Sequence, residues 1–174
     1  SERRSWTPTD LTPEQKEIIF KIAPFIPNAE LKARINDIAW TYCERSNTTF
    51  RETAIETYLS MPTDEESWLL KTQYAWQRVI EIARRSGDSG HHHIHQVSDN
   101  LLSLIDAVDS SLSGTHLLSV AIFLRLNNLC RKDKKEVVAL ALEDQATEAL
   151  KNNNHLTALD CLSEASRWYV SFDG

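Results

Sequence analysis

The stretch from Ala29 to Met61 constrains the fold more than any other, because it holds two helix-period apolar stripes joined by a short polar turn. Leu31, Ile35, Ile38, Ala39 and Tyr42 recur at three- and four-residue spacing, which puts them on one face of a helix. Glu30, Arg34, Asp37, Thr41 and Glu44 fall mostly on the other side. After the polar turn Arg45–Thr48, Phe50, Ala54, Tyr58 and Met61 form the next stripe, and Thr49 with Glu52 has the spacing of a capping box. A turn this short makes the two helices antiparallel neighbours.

The same grammar runs through the chain. Thr12-Pro13-Glu14-Gln15 spells a helix start, with a cap, an early proline and a glutamine closing the box. Ile18, Ile19 and Ile22 follow; Pro24 stops that helix and Pro27-Asn28 opens the next. Thr63-Asp64-Glu65-Glu66 spells another capping box, with acids placed to favour a helix start, and predicts a long helix over 64–85. Trp68, Ala75, Val79, Ile82 and Ala83 form its main stripe, widened by Leu69, Trp76 and Ile80. Residues 86–90, SGDSG, form the clearest break and a hinge candidate. Ile94, Val97, Leu101, Leu104, Ile105 and Val108 make a further stripe. Residues 115–130 are apolar nearly all round, as expected of a central helix. The charged turn 131–136 offers Asp133 and Glu136 as caps for the next helix. The final pair turns at residues 151–154, with Ala158, Leu162, Ala165 and Tyr169 as its last stripe.

Only four glycines and five prolines in 174 residues argue against a loop-rich or all-β chain. The expectation is an all-α protein of seven or eight helices in antiparallel pairs, of α-solenoid or tetratricopeptide-like type. Residues 1–10, with Trp6 packing back, form a lead-in arm; 11–174 form a single helical domain. The run TAIETYL at 53–59 matches TALDCLS at 157–163, and the spacing from Tyr42 to Ala54 equals that from Ala146 to Ala158. These pairs are similar to tetratricopeptide helix pairs, although Thr41, Tyr42 and Arg45 depart from that pattern.

A net charge of −6 disfavours nucleic acid as a partner, since phosphate binding draws on basic excess. The longest apolar run, Val120 to Leu124, is far short of the roughly 20 residues that span a bilayer. Cys43, Cys130 and Cys161, each inside an expected helix, read as buried reduced thiols of a cytoplasmic protein. No glycine-rich phosphate loop, zinc-protease motif or nucleophile elbow is present, and no cofactor is implied. The histidine cluster offers His91 and His95 four apart, a metal-ligand spacing on a helix that still requires a third ligand. Arg85 and His91 satisfy the arginine-to-histidine spacing of HEPN-type ribonucleases, but Gly87 and Gly90 interrupt the helix that would present them.

The segments NAELKARINDIAW, RETAIETYL and SWLLKTQYAWQRVIEIARRSG resemble the amino-terminal helical region of large bacterial proteins of unknown function. In that family a separate carboxy-terminal domain carries an RNxxxHG motif suggestive of HEPN-like chemistry, and this chain contains no such motif. The resemblance implies an accessory helical module. The expected function is therefore a non-catalytic scaffold that binds a protein, a peptide or another domain of the same protein. Arg34, Asp37, Trp40 and Arg78 are the expected contacts, along the first helices of the pairs. The alternatives are a HEPN-like nuclease or metal-dependent hydrolase using His91 and His95, and a sensor with a tryptophan-lined pocket.

Overall fold

A computed structural model describes residues 11–106 and 112–170, and the protein is all-α. The expected arm at 1–10, Trp6 and Val108 lie outside the described residues. The helices are α1 (Pro13–Ile22), α2 (Ala29–Ile38), α3 (Thr48–Leu59), α4 (Glu65–Ser67), α5 (Gln73–Arg85), α6 (His91–Asp106), α7 (Gly114–Leu126), α8 (Lys135–Lys151) and α9 (His155–Val170). Two π-helical turns interrupt this order. One (Ala39–Cys43) extends α2; the other (Trp68–Thr72) welds α4 to α5 in one continuous rod. With that rod counted once, the described residues form eight helices.

Local chemistry sets most of the starts. At α1 both halves of the expected box form: Thr12 accepts from the Gln15 amide, and the Gln15 side chain accepts from the Thr12 amide. Asn28 caps α2, and at α4 the expected box at Thr63 and Glu66 gives way to Asp64, whose Oδ2 accepts from the Ser67 amide. At α3 the expected box at Thr49 and Glu52 gives way to Asn47, whose Oδ1 accepts from both Thr49 and Phe50 amides. Glu52 instead takes Arg51. Neither Asp133 nor Glu136 caps α8, which follows a 3-10 turn (Lys132–Lys134) with no side-chain cap. Helix α7 ends at Leu126, so Cys130 falls outside it; Asn128, at φ 52°, turns the chain.

The hairpins α2–α3 and α8–α9 form the two ends, with α5, α6 and α7 between them. Trp68 and Trp76, both inaccessible, meet edge to face at 5.9 Å, and Trp68 meets Phe123 at 5.2 Å. Such pairs each add about 0.5–1.5 kcal/mol beyond area burial, and here the second ties the α4–α5 rod to α7. Gly90 closes the α5–α6 junction: a Cβ there would lie 2.0 Å from the Ala83 carbonyl oxygen. The hinge candidate at 86–90 is thus a 3-10 turn (Gly87–Gly90) whose last residue presses on α5. Between α7 and α9, Arg125 holds the inaccessible Glu164 through two hydrogen bonds of 2.5 and 3.2 Å.

Two stripes are rotated from their expected phase. In α2 the buried residues are Ala33, Asn36 and Asp37, while Leu31 is exposed and Ile35 and Ile38 are half-buried. In α9 they are Ala158, Cys161, Glu164, Ala165 and Trp168, while Leu162 and Tyr169 face outward. In each case a polar residue enters the core because a partner far along the chain satisfies it. Helix α7, expected to be covered all round, leaves Leu126 exposed.

Candidate functional site

Asp37 anchors the α2–α3–α5 junction. The π turn after α2 carries Trp40 and Thr41 inward, and the Thr41 hydroxyl donates to Asp37 Oδ1 at 2.9 Å. From α3 the Tyr58 hydroxyl donates to Oδ2 at 2.9 Å. From α5 the Arg78 guanidinium closes a bidentate pair, Nη2 to Oδ1 at 2.7 Å and Nε to Oδ2 at 2.9 Å. Asp37 is only 7% exposed, and a carboxylate at that depth requires such donors to stay charged. The same contacts hold Arg78 protonated well beyond the ordinary guanidinium range. Burial, reinforced by the adjacent Asp37, pushes the Tyr58 hydroxyl far above the phenol range. Arg78 also donates to Glu81 Oε2 at 2.6 Å, so its charge is fully engaged.

A groove of about 300 Å³ opens above this network. Tyr58 and Met61 form its floor; Glu30 and Arg34 of α2 line one wall, and Leu70, Lys71, Tyr74 and Arg78 line the other. The second π turn shapes that wall. With Trp68 and Thr72 both held inward, and the Thr72 hydroxyl donating to the Pro62 carbonyl at 2.6 Å, Leu70 and Lys71 bulge outward. Leu70 is 71% exposed and Tyr74 is 68% exposed. Arg34 and Lys71 are exposed, and neither makes an ion pair among the described residues.

Of the four expected contacts, the structure brings Arg34 and Arg78 to this groove, buries Asp37 under Tyr58 and Arg78, and sets Trp40 apart at the α2–α3 turn. Trp40 is 5% exposed, and its indole Nε1 donates to the Arg45 carbonyl at 3.0 Å. It therefore braces the α2–α3 turn and presents no surface to a partner. Arg78 is half-buried and serves Asp37. Leu70, Lys71 and Tyr74 escaped the sequence reading. Their signal was an apolar pair four residues apart, off the core stripe of the long helix.

His91 and His95 lie exposed on the first turns of α6. Between them His93 is buried, with Nε2 3.3 Å from Glu52 Oε2 and its ring 3.7 Å from that of His92. Burial lowers the His93 pKa, His92 adds to the shift, and Glu52 opposes it. Among the described residues no group of three or more His, Cys, Asp or Glu is gathered to hold a metal ion. Arg85 ends α5 and His91 begins α6, so the two stand on different helices. Burial raises the pKa of all three cysteines, that of Cys130 to about 11, which disfavours the reactive thiolate.

A second groove, about 490 Å³, runs between the α4–α5 rod and α7. Leu69, Leu118, Ile122 and Leu126 give it an apolar wall, edged by Gln73, Gln77 and Asn127. No tryptophan lines it, although Trp68 Nε1 donates at 2.9 Å to Ser119, a lining residue. No helix among the described residues is long and apolar enough to cross a membrane.

A family model described as a domain of unknown function, DUF7380, matches residues 1–94, more than half of the 174-residue chain. The chain belongs to the DUF7380 family. The DUF7380 match contains every residue of the charged groove and of the Asp37 network, and it ends in the first turn of α6. The Arg125–Glu164 pair lies beyond the DUF7380 segment, as does the α7 wall of the apolar groove. No curated protein and no solved structure matches the chain.

Proposed function

We propose that this chain is a helical interaction module that holds a short protein segment in the groove between α2, α3 and α5. The observation that carries the reading is the wall formed by Leu70, Lys71 and Tyr74: two large apolar side chains stand in solvent beside Lys71 and, across the groove, Arg34, two cations with no ion pair among the described residues. Exposed apolar surface rimmed by charge is the signature of a recognition site. Its chemistry suits a segment pairing Asp or Glu with Leu, Ile or Phe. Such a segment can come from another protein or from another domain of the same protein. The hairpins at both ends agree with a solenoid of tetratricopeptide type, whose helix faces serve as binding surfaces. The sequence resemblance extends the proposal to an accessory part of a larger bacterial, cytoplasmic protein, standing apart from a domain with the RNxxxHG motif.

An array of short peptides varied in acidic and apolar content, probed with the labelled chain, tests this. Retention is expected on spots that pair an acidic with a large apolar residue, and Arg34→Glu combined with Lys71→Glu is expected to abolish it. Both positions are exposed, so the helical circular dichroism should be unchanged. Retention indifferent to the double reversal would sink the choice of groove.

A further inference from the structure

The last helix, α9, carries a face that nothing in the described structure covers. Leu156, Leu159 and Val170 are 71%, 62% and 75% exposed, and Ser163 and Ser166, also exposed, lie between them. At 3.6 residues per turn these five side chains fall in a stripe roughly 80° wide. Leu162 and Tyr169 border one edge of it; Asp160 and Arg167 border the other.

The internal sequence match shows what kind of face this is. Aligning 53–59 with 157–163 sets Ile55 against Leu159 and Tyr58 against Leu162. In α3, which packs on both α2 and α5, Ile55 is inaccessible and Tyr58 is 5% exposed. In α9 the equivalent leucines are 62% and 46% exposed. The face of α9 is therefore one that a further helix covers when the same pattern occurs inside the stack.

The charges identify that helix. Asp160 and Arg167 stand seven residues apart, about 10.5 Å along one edge. Asp160 has no ion pair among the described residues. Among the described residues Arg167 pairs with Glu164 alone, at 3.7 Å, and Glu164 is already held by Arg125. A two-fold axis passing between Ser163 and Glu164 lays α9 antiparallel on a second α9. That operation sets Asp160 of each copy opposite Arg167 of the other, twice. It also brings Leu156 and Leu159 toward Val170 of the second copy, with the small serines at the crossing where the backbones approach most closely. A face that is its own complement under a two-fold is the requirement for an isologous interface.

We infer that α9 is a dimerisation surface that binds a second copy of this chain, antiparallel and in this register. The inference is independent of the groove on α2, α3 and α5.

Sedimentation equilibrium over a concentration series tests it. The chain is expected to approach twice its 19.9 kDa mass. Asp160→Arg makes the edge wholly cationic, and Arg167→Asp makes it wholly anionic. Each variant alone is expected to dimerise at least about 100-fold more weakly, since like charges facing across an interface repel strongly. An equimolar mixture of the two pairs a cationic edge with an anionic one and is expected to recover the dimer. Leu159→Glu, at an exposed position, should give a monomer with unchanged helical circular dichroism. A wild-type chain that stays monomeric at every concentration overturns the inference and leaves the face to a segment of a longer chain. A dimer unaffected by either charge reversal, or a mixture no tighter than its components, overturns it as well.

Discussion

Replacing Arg78 by alanine should unfold the protein more readily, and it also takes a cation from the wall of the groove. The substitution removes both charge-assisted hydrogen bonds that Arg78 makes to Asp37, leaving the carboxylate with only the Thr41 and Tyr58 hydroxyls. Breaking a buried ion pair by removing one partner costs about 3–5 kcal/mol. The Asp37 side chain is 10% exposed but that of Arg78 is 31% exposed, so water reaches the pair from one side. The lower end, ~3 kcal/mol, is the appropriate figure. For a chain of this size that corresponds to a fall in Tm of roughly 6–12 °C. Urea titration followed by far-ultraviolet circular dichroism measures the loss directly. The quadruple variant Asp37→Leu, Thr41→Val, Tyr58→Phe and Arg78→Met removes both charges and the two hydroxyls that Asp37 satisfies, and should regain most of it, because apolar replacement of a whole buried network is close to neutral. A loss below about 1 kcal/mol for the single variant, or no recovery in the quadruple, would refute the assignment of Asp37 as a buried charge held by Arg78. The result also governs the binding experiment: a variant at Arg78 changes folding and the groove wall together, whereas variants at the exposed Arg34 and Lys71 report on the groove alone.

Two further outcomes follow from particular contacts. Gly90→Ala should destabilise by about 1–3 kcal/mol in the same urea titration, because the new methyl group meets the Ala83 backbone and only a shift of α6 from α5 relieves it. Stability should also fall on acidification below pH 6.5, the ordinary histidine value. His93 and His116 both titrate lower in the folded state, chiefly through burial, so the unfolded chain binds more protons in that window. Glu52 beside His93, and Glu65 and Asp64 near His116, oppose the shift without reversing it. Thermal melts at a series of pH values check this, and His93→Gln with His116→Gln should flatten the slope.

What could be read from the sequence was chemistry that acts within one turn of helix. The Thr12 box, the Asn28 cap and the stop at Pro24 are local, and the structure shows each of them, while the box read at Thr63 starts one residue later, at Asp64. The α3 start was misplaced because two capping signals compete within five residues, and Asn47 reaches two amides where Thr49 would reach one. The phase of α9 was misread for a different reason. Its leucines repeat as regularly as its buried residues do, and only the arrival of Arg125, 39 residues upstream, makes the Glu164 side inward. Asp37 is the same case: a charged residue on an apparently polar face, buried by an arginine 41 positions away. The candidate groove was half legible. Arg34 and Arg78 lie on the expected helices, but Leu70 and Lys71 face it because the helix takes an extra residue in one turn, and composition carries no mark of that.

That extra residue works like a phase shifter in a rotating shaft. Upstream of the π turn, Trp68 is keyed to Phe123; downstream, Trp76 is keyed to the Tyr58 carbonyl. In an unbroken α-helix the eight residues from Trp68 to Trp76 would leave the two indoles about 80° apart, whereas the wide turn absorbs one residue and brings them to within about 20°. Deleting residue 70 or 71 should therefore leave a regular helix whose two ends keep their phase, with both tryptophans still keyed and only the outward bulge lost. The junction is indifferent to that residue and the groove is not: variation or deletion at 70 and 71 retunes the groove, while a further insertion in this turn would put the two ends out of step.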